Sequence, residues 1–330
     1  MKRVLSLFCL GLFTWACSSN ADEEKSEPKV FRTQHYNIII APDLSNRVDF
    51  SIRQKPLKDL QIAEVVLKNL YPKILNSANR SESQKDRVRF DFINKNLITK
   101  YGVETNKLEL NFGEFKNQGK RMDYIKGRAE RSLQEDREKF MAEYEKIHST
   151  AEKNNFGADI WTYLKGLDNS SIITSGEVNS HNNIEYHHNY KNVMFLLTDG
   201  YIEAGLFGQQ GCKEGNQCYY LSSNRIKEFR NAFKRSGESD LKQFFEKNGY
   251  GIVPVDNPIL ENVEILALEF NDRSLDHAGN ATVYPTDYEI LELFWTDWME
   301  KSGVKRFKMK RTLTSEMDAE QEILGFMGVR

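Results

Sequence analysis

The chain carries almost no excess of either charge: 46 Lys and Arg stand against 48 Asp and Glu, a formal net charge of −2. That removes the general case for nucleic acid, whose polyanionic backbone rewards a concentrated basic face. Three common signatures of chemistry are also missing. There is no Gly-x-Ser-x-Gly elbow, no His-Glu-x-x-His helix and no phosphate loop ending in Gly-Lys-Ser/Thr. No internal repeat recurs, and no Pro/Gly/Ser-rich linker divides the chain beyond residue 32. The apolar run near the N-terminus is too short for a permanent bilayer span. What remains, 39% hydrophobic and 28% charged residues, is the composition of a soluble globular protein.

The first 16 residues read as an export signal. "MKR" is a basic head, "VLSLFCLGLF" an apolar stretch, and "TWAC" closes it with a small residue, Ala16, before Cys17. Cys17 resembles the lipid-modified cysteine of bacterial lipoproteins, which implies an anchor in the cell envelope, on the outer membrane. Residues 17–31 are polar and acidic, and are expected to form a flexible tether. The acidic stretch directly after the cysteine is similar to surface-export signals of lipoproteins in the Bacteroides–Flavobacterium group.

With Cys9 removed in the signal, Cys212 and Cys218 are left, bracketing "KEGNQ" in a Gly-rich loop. In an oxidising setting a local disulfide is the expected reading. A metal pair would need Cys or His at ligand spacing nearby, and the flanks supply none.

From residue 32 to 330 one α/β domain is expected, with insertions at about 113–156 and 200–221. Apolar strands are read at 36–42, 192–197 and 262–270, and alternating ones at 87–93 and 107–112. Helices are read at 57–75, 157–167 and 287–302, as two amphipathic segments between 222 and 249, and as a short terminal helix. Residues 119–153 read as one long solvent-facing helix, and 169–190 as a polar loop. Fully apolar strands alternating with helices predict a Rossmann-like, doubly wound and mostly parallel sheet covered on both faces. Phe294, Trp295 and Trp298, at helical spacing, are expected in the core.

In such a sheet ligands gather beyond the carboxyl ends of the strands. Three polar clusters fall there: Asp43, Ser45, Asn46 and Arg47 after the first strand, Asp159 opening a helix, and Thr198 and Asp199 after "NVMFLL". Carboxylates and hydroxyls from separate loops are a hard-oxygen set, suited to Mg²⁺, Mn²⁺ or Ca²⁺. Each cluster alone has an ordinary reading. "TDG" is a common strand-to-turn sequence, and "DLSNR" fits an Asx turn.

Together, in this order, they resemble the von Willebrand factor A domain and its metal-ion-dependent adhesion site. That resemblance implies Asp43, Ser45, Asp159 and Asp199 as metal positions, with Mg²⁺ or another divalent ion as cofactor, and Asn46, Arg47 and Thr198 as ligand-binding residues. The chain departs from the family pattern twice. Arg47 stands where a second serine is usual, and Ala158 where a threonine hydroxyl is usual. An inward guanidinium would repel a divalent ion and pair with Asp43 or Asp199 instead. If it points outward, Asp159 is left as a substitute oxygen ligand.

The resemblance implies a non-enzymatic, lipid-anchored module that binds another protein through its loop face. In one form of that expectation, Arg47 receives the partner's carboxylate directly. The alternative is a structural or assembly component of the outer membrane, with a vestigial metal site and contacts through the 119–153 helix and the cysteine loop. Other candidates are weaker. His181, His187 and His188 lie in the segment read as a polar loop. Asp43 as a phosphoryl-accepting nucleophile would need an aspartate where Ser45 stands.

Overall fold

The structure is a computed structural model that describes residues 27–49, 55–80, 82–93, 102–153, 158–202, 211–213 and 215–329. The expected export signal, Cys17 and most of the tether lie outside the described residues. So does much of the 200–221 insertion.

The chain runs through β1 (Lys29–Pro42), α1 (Asp59–Lys68), β2 (Arg87–Phe90), β3 (Glu109–Asn111), α2 (Gln118–Ile125) and α3 (Leu133–Glu152). It continues with α4 (Ile160–Lys165), β4 (Glu177–His181), β5 (Ile184–Leu197), β6 (Gln217–Cys218), α5 (Ser223–Ser236) and α6 (Leu241–Lys247). The last elements are β7 (Gly251–Ile252), β8 (Val263–Phe270), α7 (Asp287–Lys301), β9 (Arg306–Arg311) and α8 (Glu316–Met327).

The main sheet has the order β3-β2-β1-β5-β8-β9, with β4 added to β5. Strands β2, β1, β5, β8 and β9 are mutually parallel; β3 and β4 are antiparallel to their neighbours. Successive strand residues feed opposite layers, as the two-residue period requires. Ile38, Ile40, Phe195 and Leu197 join one core with α1, α3 and α8. Ile39, Ala41, Met194 and Leu196 join a second core with α4, α5, α6 and α7. All eight residues of β8 are buried, which is why that strand has no polar alternation. The doubly wound α/β class expected from the sequence is therefore the observed one. Phe294, Trp295 and Trp298 are buried in the second core.

Four local readings change. The helix expected over 57–75 ends at Lys68, and Tyr71 is extended (φ −123°, ψ 131°) because it precedes Pro72. The long solvent-facing helix is two helices. A left-handed Gly127 interrupts it, and a Ser132/Glu135 capping box starts the second helix afresh. That second helix is a packed layer element rather than an appendage, since Phe140, Tyr144, Ile147 and Ala151 are buried in the first core.

The polar loop over 169–190 is largely a hairpin. β4 and β5 meet at Asn182 and Asn183, both left-handed (φ 49° and 59°), the backbone that a two-residue type I′ turn demands. His188 accordingly sits buried in β5 rather than in a solvated loop. Finally, the cysteine loop holds the expected disulfide, Cys212–Cys218, but it is not wholly protruding: Cys218 is fully buried beside β7. Among the described residues, no helix is long and apolar enough to cross a membrane.

Candidate functional site

β1, β5 and β8 lie side by side and end together, so the loops that follow them share one rim. The first loop begins as a continuation of the ladder: the Asp43 N–H donates to the Leu197 carbonyl at 2.8 Å. The Asp43 carboxylate then fixes two neighbours. Its Oδ1 accepts from the Ser45 N–H at 3.0 Å, an Asx turn, and its Oδ2 accepts from the Thr198 hydroxyl at 3.1 Å. The turn closes as a short 3₁₀ segment, Asn46–Val48, which carries Arg47 back toward the sheet.

Arg47 points inward and is 4% exposed. Its Nη2 donates to the Leu197 carbonyl at 2.6 Å and to Asp59 Oδ2, and its Nη1 to Asp59 Oδ1 at 3.3 Å. Its Nε lies 3.7 Å from Asp43 Oδ2. Asp59, in the first turn of α1 where the helix dipole favours an anion, is thus the guanidinium's main partner.

Lys55 pairs with the same carboxylate and lies 3.3 Å from Glu269 Oε2. Glu269 Oε1 accepts from the Leu313 N–H at 2.9 Å. The result is a buried cluster of alternating charges, Asp43–Arg47–Asp59–Lys55–Glu269, beneath the first loop.

Burial sets the ionisation of this cluster, and the neighbours correct it. Burial pushes the Asp43 carboxyl up to about 6, with Arg47 pulling it down and Asp199 pushing it up again. Burial would raise Asp59 as well, but Arg47 and Lys55 outweigh it and hold that carboxyl well below its ordinary value. Burial works against the charge on Arg47, yet Asp59, Asp43 and Asp199 together raise it above its ordinary range. Glu269 is raised by burial, with Lys55 opposing. One guanidinium therefore stays charged at any ordinary pH, between two carboxylates.

The second loop uses a different arginine. Asp199 Oδ1 accepts from the Tyr201 N–H at 3.2 Å, and its Oδ2 from Arg273 Nη2 at 3.0 Å. Arg273 comes from the loop after β8 and stacks 3.7 Å over the Tyr201 ring. Gly200, at φ 88°, turns the chain where a Cβ would meet the Phe270 ring at 2.5 Å, and its carbonyl accepts from the Trp295 indole at 2.8 Å.

The third loop contributes least to the rim. Both Asp159 oxygens are engaged by Thr162, through its N–H at 2.9 Å and its hydroxyl at 2.7 Å, which makes Asp159 the N-cap of α4. Ala158 is buried in the second core.

Of the residues singled out in the sequence, the structure brings together Asp43, Ser45, Arg47, Thr198 and Asp199. Asp159 is turned to its own helix, and the Asn46 side chain lies outside the described residues. Sequence reasoning missed Asp59, Lys55, Glu269 and Arg273.

The donor set does not fit a divalent ion. A guanidinium stands at Asp43, a second one at Asp199, and Ala158 offers only a methyl. Among the described residues, no three His, Cys, Asp or Glu side chains are grouped to hold a metal, and His181, His187 and His188 are no exception. The expected direct capture of a partner's carboxylate by Arg47 does not fit either, because that side chain is enclosed and already bonded to Asp59 and Leu197. In comparisons with known proteins, no family, no curated protein and no solved structure matches the chain.

Proposed function

We propose that the chain is an exported, lipid-anchored binding module of von Willebrand A-like build, which engages another protein at the loop rim without a divalent cation. The observation that carries this reading is that a guanidinium lies against each aspartate, Arg47 at 3.7 Å from Asp43 and Arg273 at 3.0 Å from Asp199. A metal site of this family would supply positive charge from solution. Here fixed cations supply it, one enclosed and one at the rim. Arg47 holds the first loop rigid from within. Arg273, about one-third exposed, is the cation offered to a partner, and the Tyr201 ring beneath it limits its rotamers.

The rim's position supports the same reading, since loops at the carboxyl ends of adjacent parallel strands are where open α/β sheets recognise ligands. The anchor places the domain in the cell envelope, and no role for nucleic acid is proposed.

Site-specific photocrosslinking in intact envelopes tests this. A crosslinker at His277, in the loop after β8, should capture a discrete partner, with capture unchanged by EDTA and lost in Arg273→Glu. Capture from Glu300 at the far end of α7 in its place, or loss on chelation, would contradict it.

A further inference from the structure

The opposite end of the sheet holds a cavity of about 600 Å³ between the turn at residues 113–118 and the β4–β5 hairpin. Its chemistry is set by a buried cation that no carboxylate contacts among the described residues. Arg121, 5% exposed, donates from Nε to the Phe112 carbonyl at 2.9 Å, from Nη1 to Gln118 Oε1 at 2.8 Å and from Nη2 to the Phe115 carbonyl at 3.2 Å. All three acceptors are neutral. The guanidinium pairs with no carboxylate among the described residues, and about two of its five N–H groups are left over. A buried charge in that condition is costly unless an anion reaches it.

The rest of the wall carries two more cations and one carboxylate. Lys85 and Lys116 line the cavity, and Glu114, the one carboxylate on the wall, is bound to Arg131 at 2.6 Å. Lys85 itself is bridged to Glu177. A histidine pair adds a neutral donor. The Lys85 N–H donates to His35 Nδ1 at 3.2 Å, so the His35 proton is on Nε2 and goes to His188 Nδ1 at 3.0 Å. His188, which lines the cavity, therefore carries its own proton on Nε2 as the donor it has left. Burial, then the charge of Lys85, pushes His188 down to about 4, so the ring is neutral at pH 7.

We propose that this cavity binds the phosphate group of a small phosphate monoester, held by Arg121, Lys116 and His188. A tetrahedral dianion offers acceptors in several directions at once, which suits donors arriving from three separate segments. The cavity is larger than a bare phosphate and has Phe115 and Tyr186 on its wall, leaving room for the esterified group. This assignment is independent of the loop rim and stands or falls separately from it.

The test is calorimetric titration of the full chain carrying Cys17→Ser with inorganic phosphate and with glycerol phosphate, against chloride at equal ionic strength. Saturable binding of both probes is expected. Lys116→Glu, an exposed change that leaves packing intact, should weaken it at least tenfold, and Lys116→Arg should restore it. Vesicle flotation with phosphatidic acid or phosphatidylcholine separates the sources. Flotation on phosphatidic acid alone, competed by inorganic phosphate, assigns a lipid headgroup; phosphate binding without flotation assigns a soluble monoester. No saturable heat above chloride, or unchanged affinity in Lys116→Glu, overturns the proposal.

Discussion

Arg47 and Asp59, twelve residues apart, form a two-point ion pair whose side chains are 1% and 0% exposed. The pair joins the loop after β1 to the first turn of α1, and Lys55 shares its carboxylate. Asp59 therefore balances two cations, whereas Arg47 leans on two anions.

That asymmetry orders two substitutions. Arg47→Met leaves Asp59 still paired with Lys55, while Asp59→Asn leaves Arg47 only Asp43, at 3.7 Å, and Lys55 only Glu269, at 3.3 Å. Breaking a buried pair costs about 3–5 kcal/mol. Urea unfolding should put Arg47→Met at or below that range and Asp59→Asn clearly above Arg47→Met. Equal losses would mean that Lys55 is not part of the cluster.

Asp43 supplies a pH signature. Its folded pKa, about 6, lies above its ordinary 3.8, so the folded state binds the proton more tightly than the unfolded chain does. The stabilisation from that proton is complete below the unfolded value and is lost as pH rises through about 6. Asp43→Asn should flatten this component of the stability profile between about pH 4 and 6. Acid-range unfolding curves of the two proteins, taken under identical salt, measure the difference. A parallel pair of curves would count against a buried Asp43 that holds its proton more tightly when folded.

Gly200 is the steric hinge of the second loop. Alanine there would hold a left-handed backbone and place a methyl against Phe270, in contact with the ring at 2.5 Å. The two penalties together suggest a loss of about 2 kcal/mol or more. Thermal unfolding should show it, and Gly200→Ala should also perturb Trp295 fluorescence, because the indole N–H is bonded to the Gly200 carbonyl. An unshifted melting temperature would remove the steric argument.

The parts of the fold that were legible in the sequence are those where burial leaves no polar alternative. Ile38–Ile40, "NVMFLL" and "VEILALEF" read as interior strands, and they are. The β4–β5 hairpin was obscured because its outward and inward positions are both polar, His188 facing a buried histidine rather than solvent. The signal that was present is the Asn182–Asn183 pair, two residues of a type that tolerates left-handed backbone, between segments of compatible length.

Asp43, Ser45 and Asp199 were readable from strand ends. Asp59 and Lys55 were not, since charged residues near a helix start usually face water. Glu269 could have been suspected: a carboxylate inside "LALEF", where every neighbour is buried, has to have a partner. Arg273 carried a similar hint as a cation in the loop following β8, next to the loop that bears Asp199.

Calorimetric titration with Mg²⁺ and Mn²⁺ bears most directly on a rim neutralised by fixed guanidinium groups. The wild-type protein should give no saturable heat with either ion. Arg47→Ser, which supplies a hydroxyl and removes the enclosed charge, should gain saturable binding while circular dichroism shows it folded. Tight, stoichiometric Mg²⁺ binding by the wild-type protein would contradict the assignment.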